Sequence, residues 1–267
     1  GALNPLSNSF TGGEVYTITK AGSGEVSTIA YADLVFDAGR GRLYGADLSG
    51  NKIDVIDATS LSILGSYTLA YGSAPLSLDL SPSGNELAIA QSNTGYIAFI
   101  NLLTGSISQL PSALSGSNTK VTDVLYGRSG ILYAFSSNGL HVVDLNVIPH
   151  VELTSKYVYE SSISDQRFGA ISSDKNTLYL VAGSCCTSAY TGLNKYDISG
   201  TLIKPTLLKS THLYETSDIT NIRLDLIDDE NLLITTGSVY NTSGLTPKAE
   251  NHIYPYPPSI SPPGKSY

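Results

Sequence analysis

Five times along the chain an apolar run gives way to a short polar turn and then to a second apolar run that opens with leucine. The segments are DLVFDAGRGRLYGAD (Asp33–Asp47), LSLDLSPSGNELAIAQ (Leu76–Gln91), VTDVLYGRSGILYAF (Val121–Phe135), FGAISSDKNTLYLVAG (Phe168–Gly183) and IRLDLIDDENLLITTG (Ile222–Gly237). Short runs rich in β-branched and aromatic residues, bounded by Gly, Asn, Asp and Ser, predict strand pairs joined by tight turns. Third strands are predicted at Lys52–Asp57, Tyr96–Asn101, Leu140–Asp144 and Leu193–Ile198, and fourth strands at Ser62–Leu69, Ser106–Leu110, His150–Tyr157 and Ile203–Ser210. No segment sustains a helical apolar period.

The anchors Leu43, Leu87, Leu132, Leu178 and Leu232 recur at spacings of 44, 45, 46 and 54 residues. A period of roughly 40–45 residues with several strands marks the blades of a β-propeller, so the expected fold is an all-β propeller with one four-stranded blade for each of the five repeats. After Gly237 the chain reads as a loop, SVYNTSGLTPKAEN, and the fifth repeat is expected to lack outer strands. EVYTIT (Glu14–Thr19) and EVSTIA (Glu25–Ala30) look like an outer pair with no inner pair before it. Pairing of these N-terminal strands with the last C-terminal repeat would close the ring and remove its open edge. HIYPY (His252–Tyr256) competes for one of those places. The expected division is an N-terminal extension at 1–13, the propeller at 14–253 and a Pro-rich tail or linker at 254–267, where proline cannot donate to a sheet.

DLSPSGNELAIAQ, the later YIAFINLLTGSI, and LYGADLSGNKIDVIDATSLSIL resemble the YVTN-type surface propeller repeats, a family that includes lactonase-like propellers, and GLHVVDLNVIPHVELTSKY resembles the related LVIVD repeat. The resemblance covers Glu14 to Gly237 and specifies a blade better than an activity. The family often has seven blades, and this chain supplies five repeats.

Charged residues make up 14% of the chain, against roughly 25% in an ordinary soluble domain, so the surface must be covered largely by Ser, Thr, Asn, Gly and the 18 Tyr. Such a coat suits an extracellular or cell-surface protein. A formal net charge of −8 without any Lys/Arg run offers phosphate backbones nothing, and nucleic acid is not an expected partner. No apolar stretch approaches the roughly 18–20 residues of a membrane span. The chain begins at Gly1 and contains no Met, which is expected of a secreted product whose signal has been removed.

Cys185 and Cys186 are the only cysteines and are adjacent. Neighbouring Cα atoms lie about 3.8 Å apart, below the roughly 4.4–6.8 Å of ordinary disulfides, so a bond between them would be a strained ring. That disulfide, two thiols and pairing with another chain all stay open. The pair falls between the second and third strands of its repeat, a connection that in propellers resembling this one opens on the same face as the connections between blades. Around that face the candidate ligand-binding residues are Cys185, Cys186, Tyr190, Tyr240, Asn93, Arg167 and Asn221. Tyrosine can lay an apolar face on a sugar or peptide while its hydroxyl hydrogen-bonds, although solvated loop tyrosines are the commoner case.

Carboxylates on or just before the predicted innermost strands are Asp33, Asp79, Asp123, Asp165, Asp218 and Asp225. Acidic pairs near an axis are the machinery of propeller glycosidases, while recurring Asp residues that bond strand amides are more frequent. The run Asp228, Asp229 and Glu230 sits in the tight-turn slot and reads as turn chemistry rather than a calcium site. His141, His150, His212 and His252 show no metal-binding spacing, and no cofactor is expected. Asn241-Thr242-Ser243 is a glycosylation sequon. The expectation is a non-enzymatic module that meets a protein or glycan at the cell surface, with self-assembly through the tail. A hydrolase or lactonase-like enzyme using the axial carboxylates, and a lectin-like glycan binder, are the alternatives.

Overall fold

The computed structural model describes residues 3–6, 15–18, 29–111, 113–114, 120–136, 139–156, 158–159, 169–182, 191–200, 204–213, 224–227, 232–235 and 239–249. Strands β1 (Leu3–Leu6), β2 (Val15–Ile18) and β3 (Ile29–Tyr31) form an antiparallel sheet in chain order. The first repeat follows as β4 (Leu34–Asp37), β5 (Arg42–Asp47), β6 (Lys52–Asp57) and β7 (Ile63–Thr68). The second is β8 (Pro75–Leu80), β9 (Glu86–Gln91), β10 (Ile97–Asn101) and β11 (Ile107–Gln109). The third comprises β12 (Val121–Tyr126), β13 (Ile131–Ser136), β14 (Gly139–Asp144), β15 (Val151–Glu152) and β16 (Val158–Tyr159). Repeat four is β17 (Gly169–Ile171), β18 (Thr177–Ala182), β19 (Thr191–Asp197) and β20 (Thr206–Leu213), and repeat five is β21 (Leu224–Ile227), β22 (Leu232–Thr235), β23 (Val239–Asn241) and β24 (Thr246–Ala249).

The register explains the recurring leucine. Each anchor stands opposite the end of the strand before it, in the pairs Phe36/Leu43, Leu80/Leu87, Tyr126/Leu132, Ile171/Leu178 and Ile227/Leu232. Leu87, Leu132 and Leu178 are fully buried. Both faces of a central strand are covered because apolar clusters fill the gaps between successive sheets. Leu87 and Ile89 pack with the first repeat, whereas Ala88, Ala90 and Phe99 pack with Val124 and Leu132 of the third. Burying one such leucine contributes about 2 kcal/mol. The outermost strands lack a covering neighbour, and Ile63, Leu64 and Ile107 are exposed there.

Three expectations are corrected. The fifth repeat has its own outer strands, β23 and β24, and the N-terminal strands pair with one another, not with that repeat, among the described residues. Pro247 made the second of these strands read as loop. It pairs opposite Tyr240 in the last strand of its sheet, a place where a missing amide is tolerated. The fourth strand expected over 150–157 is also split, with β15 and β16 both pairing with β14 on either side of a 3₁₀ turn at Thr154–Lys156. HIYPY and the Pro-rich tail lie outside the described residues.

Candidate functional site

The first strands of successive repeats lie beside one another, and their carboxylates join them. Asp33 accepts a hydrogen bond from the Leu34 amide at 3.0 Å and, with its other oxygen, one from the Leu78 amide of the next repeat at 2.8 Å. Asp79 does the same with Leu80 (2.8 Å) and Tyr126 (2.6 Å). Asp123 takes Val124 (2.9 Å) and Gly169 (2.9 Å), and also receives the Ser77 hydroxyl from the repeat before it. The first strand of a sheet has one side without a partner strand, and its amides need acceptors when buried. These three aspartates supply them, one per seam.

Each seam has a second closure in the turn between the first two strands. At the first, the Arg40 guanidinium bonds Asp37 at 2.8 Å, the Gly84 carbonyl, and the Asn85 side chain at 3.1 Å. Burial pushes the Asp37 carboxyl up, but Arg40 outweighs it and holds the group below its ordinary range. At the third seam, Arg128 reaches the carbonyls of Ser199 and Asp174, each at 2.9 Å, and the Asn176 side chain.

The second seam is built differently. Glu86 receives the Tyr126 hydroxyl at 2.9 Å on one oxygen and His150 Nε2 at 3.5 Å on the other. His150 Nδ1 faces the Val147 carbonyl at 2.9 Å, and the ring meets Phe99 edge-on with centroids 4.7 Å apart. Hydrogen bonding to His150 keeps Glu86 below its ordinary value, and Glu86 in turn raises His150. Burial raises the Tyr126 phenol, helped by Glu86. Asp79 is pushed up to about 6 by burial and by Asp33, against the opposing pull of the Tyr126 and Leu80 amides and of Lys175. Higher in the seam, His141 Nε2 lies 2.7 Å from the Ser136 hydroxyl and Nδ1 lies 2.7 Å from Glu152.

The turns between second and third strands share one face with the connections between repeats. Asn51 holds the connection after β7 through its carbonyl to Leu69 (2.9 Å) and its side chain to the Ala74 amide (3.0 Å). The Ser92 amide donates to the Ala74 carbonyl at 3.0 Å, which brings the turn containing Asn93 against the same connection. Asn93 is exposed there. Beside it, Tyr71 is 99% exposed on a turn that includes Gly72 at φ 79° and Ala74 at φ 46°, a left-handed conformation that non-glycine residues rarely take. Tyr71 was absent from the expected set because its connection is short; its place between repeats was the available signal.

Of the other expected residues, Cys185, Cys186, Tyr190, Arg167, Asn221, Asp165 and Asp218 lie outside the described residues. Tyr240 and Asp225 stand on β23 and β21. No group of three or more His, Cys, Asp or Glu side chains arranged to hold a metal occurs among the described residues.

No family model and no curated protein matches the chain. Solved structures do. A candidate 6-phosphogluconolactonase from Bacteroides uniformis superposes with TM-score 0.65 at 10% identity, over 93% of this chain and 80% of that one. Hydrazine synthase from Kuenenia stuttgartiensis gives 0.59 at 14% identity over 88% of this chain, and the β-propeller domain of Myceliophteria thermophila Cps50 (Swd1) gives 0.54 at 13% identity over 79%. The chain spans 62% of each of those two. At such identities the similarity speaks for the fold alone, and with the successive antiparallel sheets it identifies an all-β protein of the β-propeller fold.

Proposed function

We propose that this propeller is a non-enzymatic module outside the cell that recognises or assembles with a surface protein or glycan. The observation that carries the reading is the employment of the three inner carboxylates whose side chains are described. A glycosidase or lactonase mechanism on the axis needs acidic side chains free to hold a proton or meet a substrate carbon. Asp33, Asp79 and Asp123 each accept backbone amides from two consecutive repeats instead. A weakly charged surface and the exposed face with Tyr71 and Asn93 fit recognition. Electron microscopy of the native material is the direct test. Lattices, filaments or labelled cell surfaces support the reading. A free protein that turns over a glycan or lactone panel and loses that turnover on Asp33→Asn or Asp123→Asn, while remaining folded, overturns it.

The exposed Tyr71 favours a glycan as the second choice of ligand, since an aromatic face suits the apolar side of a sugar ring. Glycan-array binding that weakens on Tyr71→Ala would select it over a protein partner.

A further inference from the structure

We propose that the seam between the second and third repeats is a proton-operated joint, tight in mild acid and looser at neutral and alkaline pH, while the seams on either side do not respond. Both histidines with described side chains face this seam, each beside a carboxylate. The geometry at His150 already asks for a proton. Its two ring nitrogens face a carbonyl oxygen and a carboxylate oxygen, so both must donate, and only the imidazolium can do so. Once the ring is neutral, one of the two bonds is lost, and with it the charge that ties β14's connection to Glu86 of the preceding repeat.

At the other end of Tyr126, Asp79 accepts an amide on each oxygen, an arrangement that suits the carboxylate and holds the strand whether or not His150 is charged. The groups around Asp79 are the Leu80 and Tyr126 amides, Lys175 from the turn between β17 and β18, and Asp33 ahead of β4. Those around His150 are Glu86, the Val147 carbonyl and Asp144 at the end of β14. Tyr126 joins the two sites, its amide on Asp79 and its hydroxyl on Glu86.

His150 is raised above 6.5, so its contribution is complete below that value and is lost as pH rises through the folded one. Glu86 is lowered from 4.5 and therefore closes the window from below, its contribution disappearing as pH falls. At the flanking seams the second closure is a guanidinium, which stays charged throughout.

His141, Ser136 and Glu152 have the bonding order of a hydrolase relay, but Ser136 and His141 are fully buried between the repeats, which leaves a substrate no approach. They belong to the seam's packing.

The fold supplies one reporter amide per seam: Leu78, Tyr126 and Gly169, each bonded to an aspartate of the repeat before. Amide hydrogen exchange of the full chain, corrected for the intrinsic rate, should show Tyr126 protection falling about fivefold from about pH 5.5 to about pH 8, with Leu78 and Gly169 changing less than about twofold. In His150→Gln the Tyr126 response should be flat. Glu86→Gln, which keeps an acceptor for the Tyr126 hydroxyl but removes the charge facing His150, should flatten it as well. Parallel changes at all three amides, or a Tyr126 response that either folded variant leaves unaltered, overturn the proposal.

Discussion

The first and third seams are clasped by arginines, whereas the second is held by a glutamate that receives a tyrosine and a histidine. Sequence position accounts for the difference. Arg40 and Arg128 both end on an asparagine two residues before the anchor leucine, Asn85 and Asn176. The corresponding residue of the third repeat is Gly130, at φ 73°, where a Cβ would come within 2.3 Å of the Asn146 side chain. With no acceptor side chain there, and Ser83 and Gly84 where the second repeat would need its arginine, a guanidinium clasp cannot form. Repeats that share a backbone therefore close their seams with different chemistry, and only one of those chemistries titrates near neutrality.

The harshest way to break the comparison is Asp123→Ala, because Asp123 binds groups from three consecutive repeats. Stranding the Ser77 hydroxyl and the Gly169 amide in a buried seam should cost about 3 kcal/mol, read as a lowered midpoint in denaturant unfolding. A loss below about 1 kcal/mol would mean that the carboxylates merely decorate the inner strands.

Arg128→Ala removes three bonds at a partly exposed site and should cost about 1–2 kcal/mol. The cost should be the same at about pH 5.5 and about pH 8, since guanidinium does not titrate there. A pH-dependent cost would erase the distinction between the seams.

His150→Gln should cost at most about 1 kcal/mol in mild acid, because the pair with Glu86 is long and not fully enclosed, and close to nothing once the wild-type ring has lost its proton. Thermal melts of the two proteins should therefore converge as pH rises. Divergence would put the wrong sign on His150. At the bottom of the scale, Ile107→Thr on the exposed last strand of the second repeat should move stability by less than about 0.5 kcal/mol. A larger effect in dilute solution would point to a covered edge.

Legibility in the sequence followed how local each feature is. β6 was predicted to the residue, since KIDVID alternates cleanly between turns. β24 was missed because one proline outweighed its neighbours in a short window. The inner aspartates were recognisable as a recurring group, and bonding to strand amides was the more frequent role assigned to them; their partners 45, 47 and 46 residues ahead were not visible. The second seam was wholly hidden. Tyr126 and His150 lie 40 and 64 residues beyond Glu86, and the repeat motifs that contain the three do not say that they meet.

By itself the sequence determined the repeat length, the strand pairs, the anchor leucines and an all-β propeller, because period, alternation and turn residues act over a few positions each. Only the tertiary structure decided which aspartate serves which amide, where arginine can clasp, and which histidines meet a carboxylate. Those outcomes depend on side chains brought together across seams by the stacking of whole sheets, and no local pattern encodes that distance.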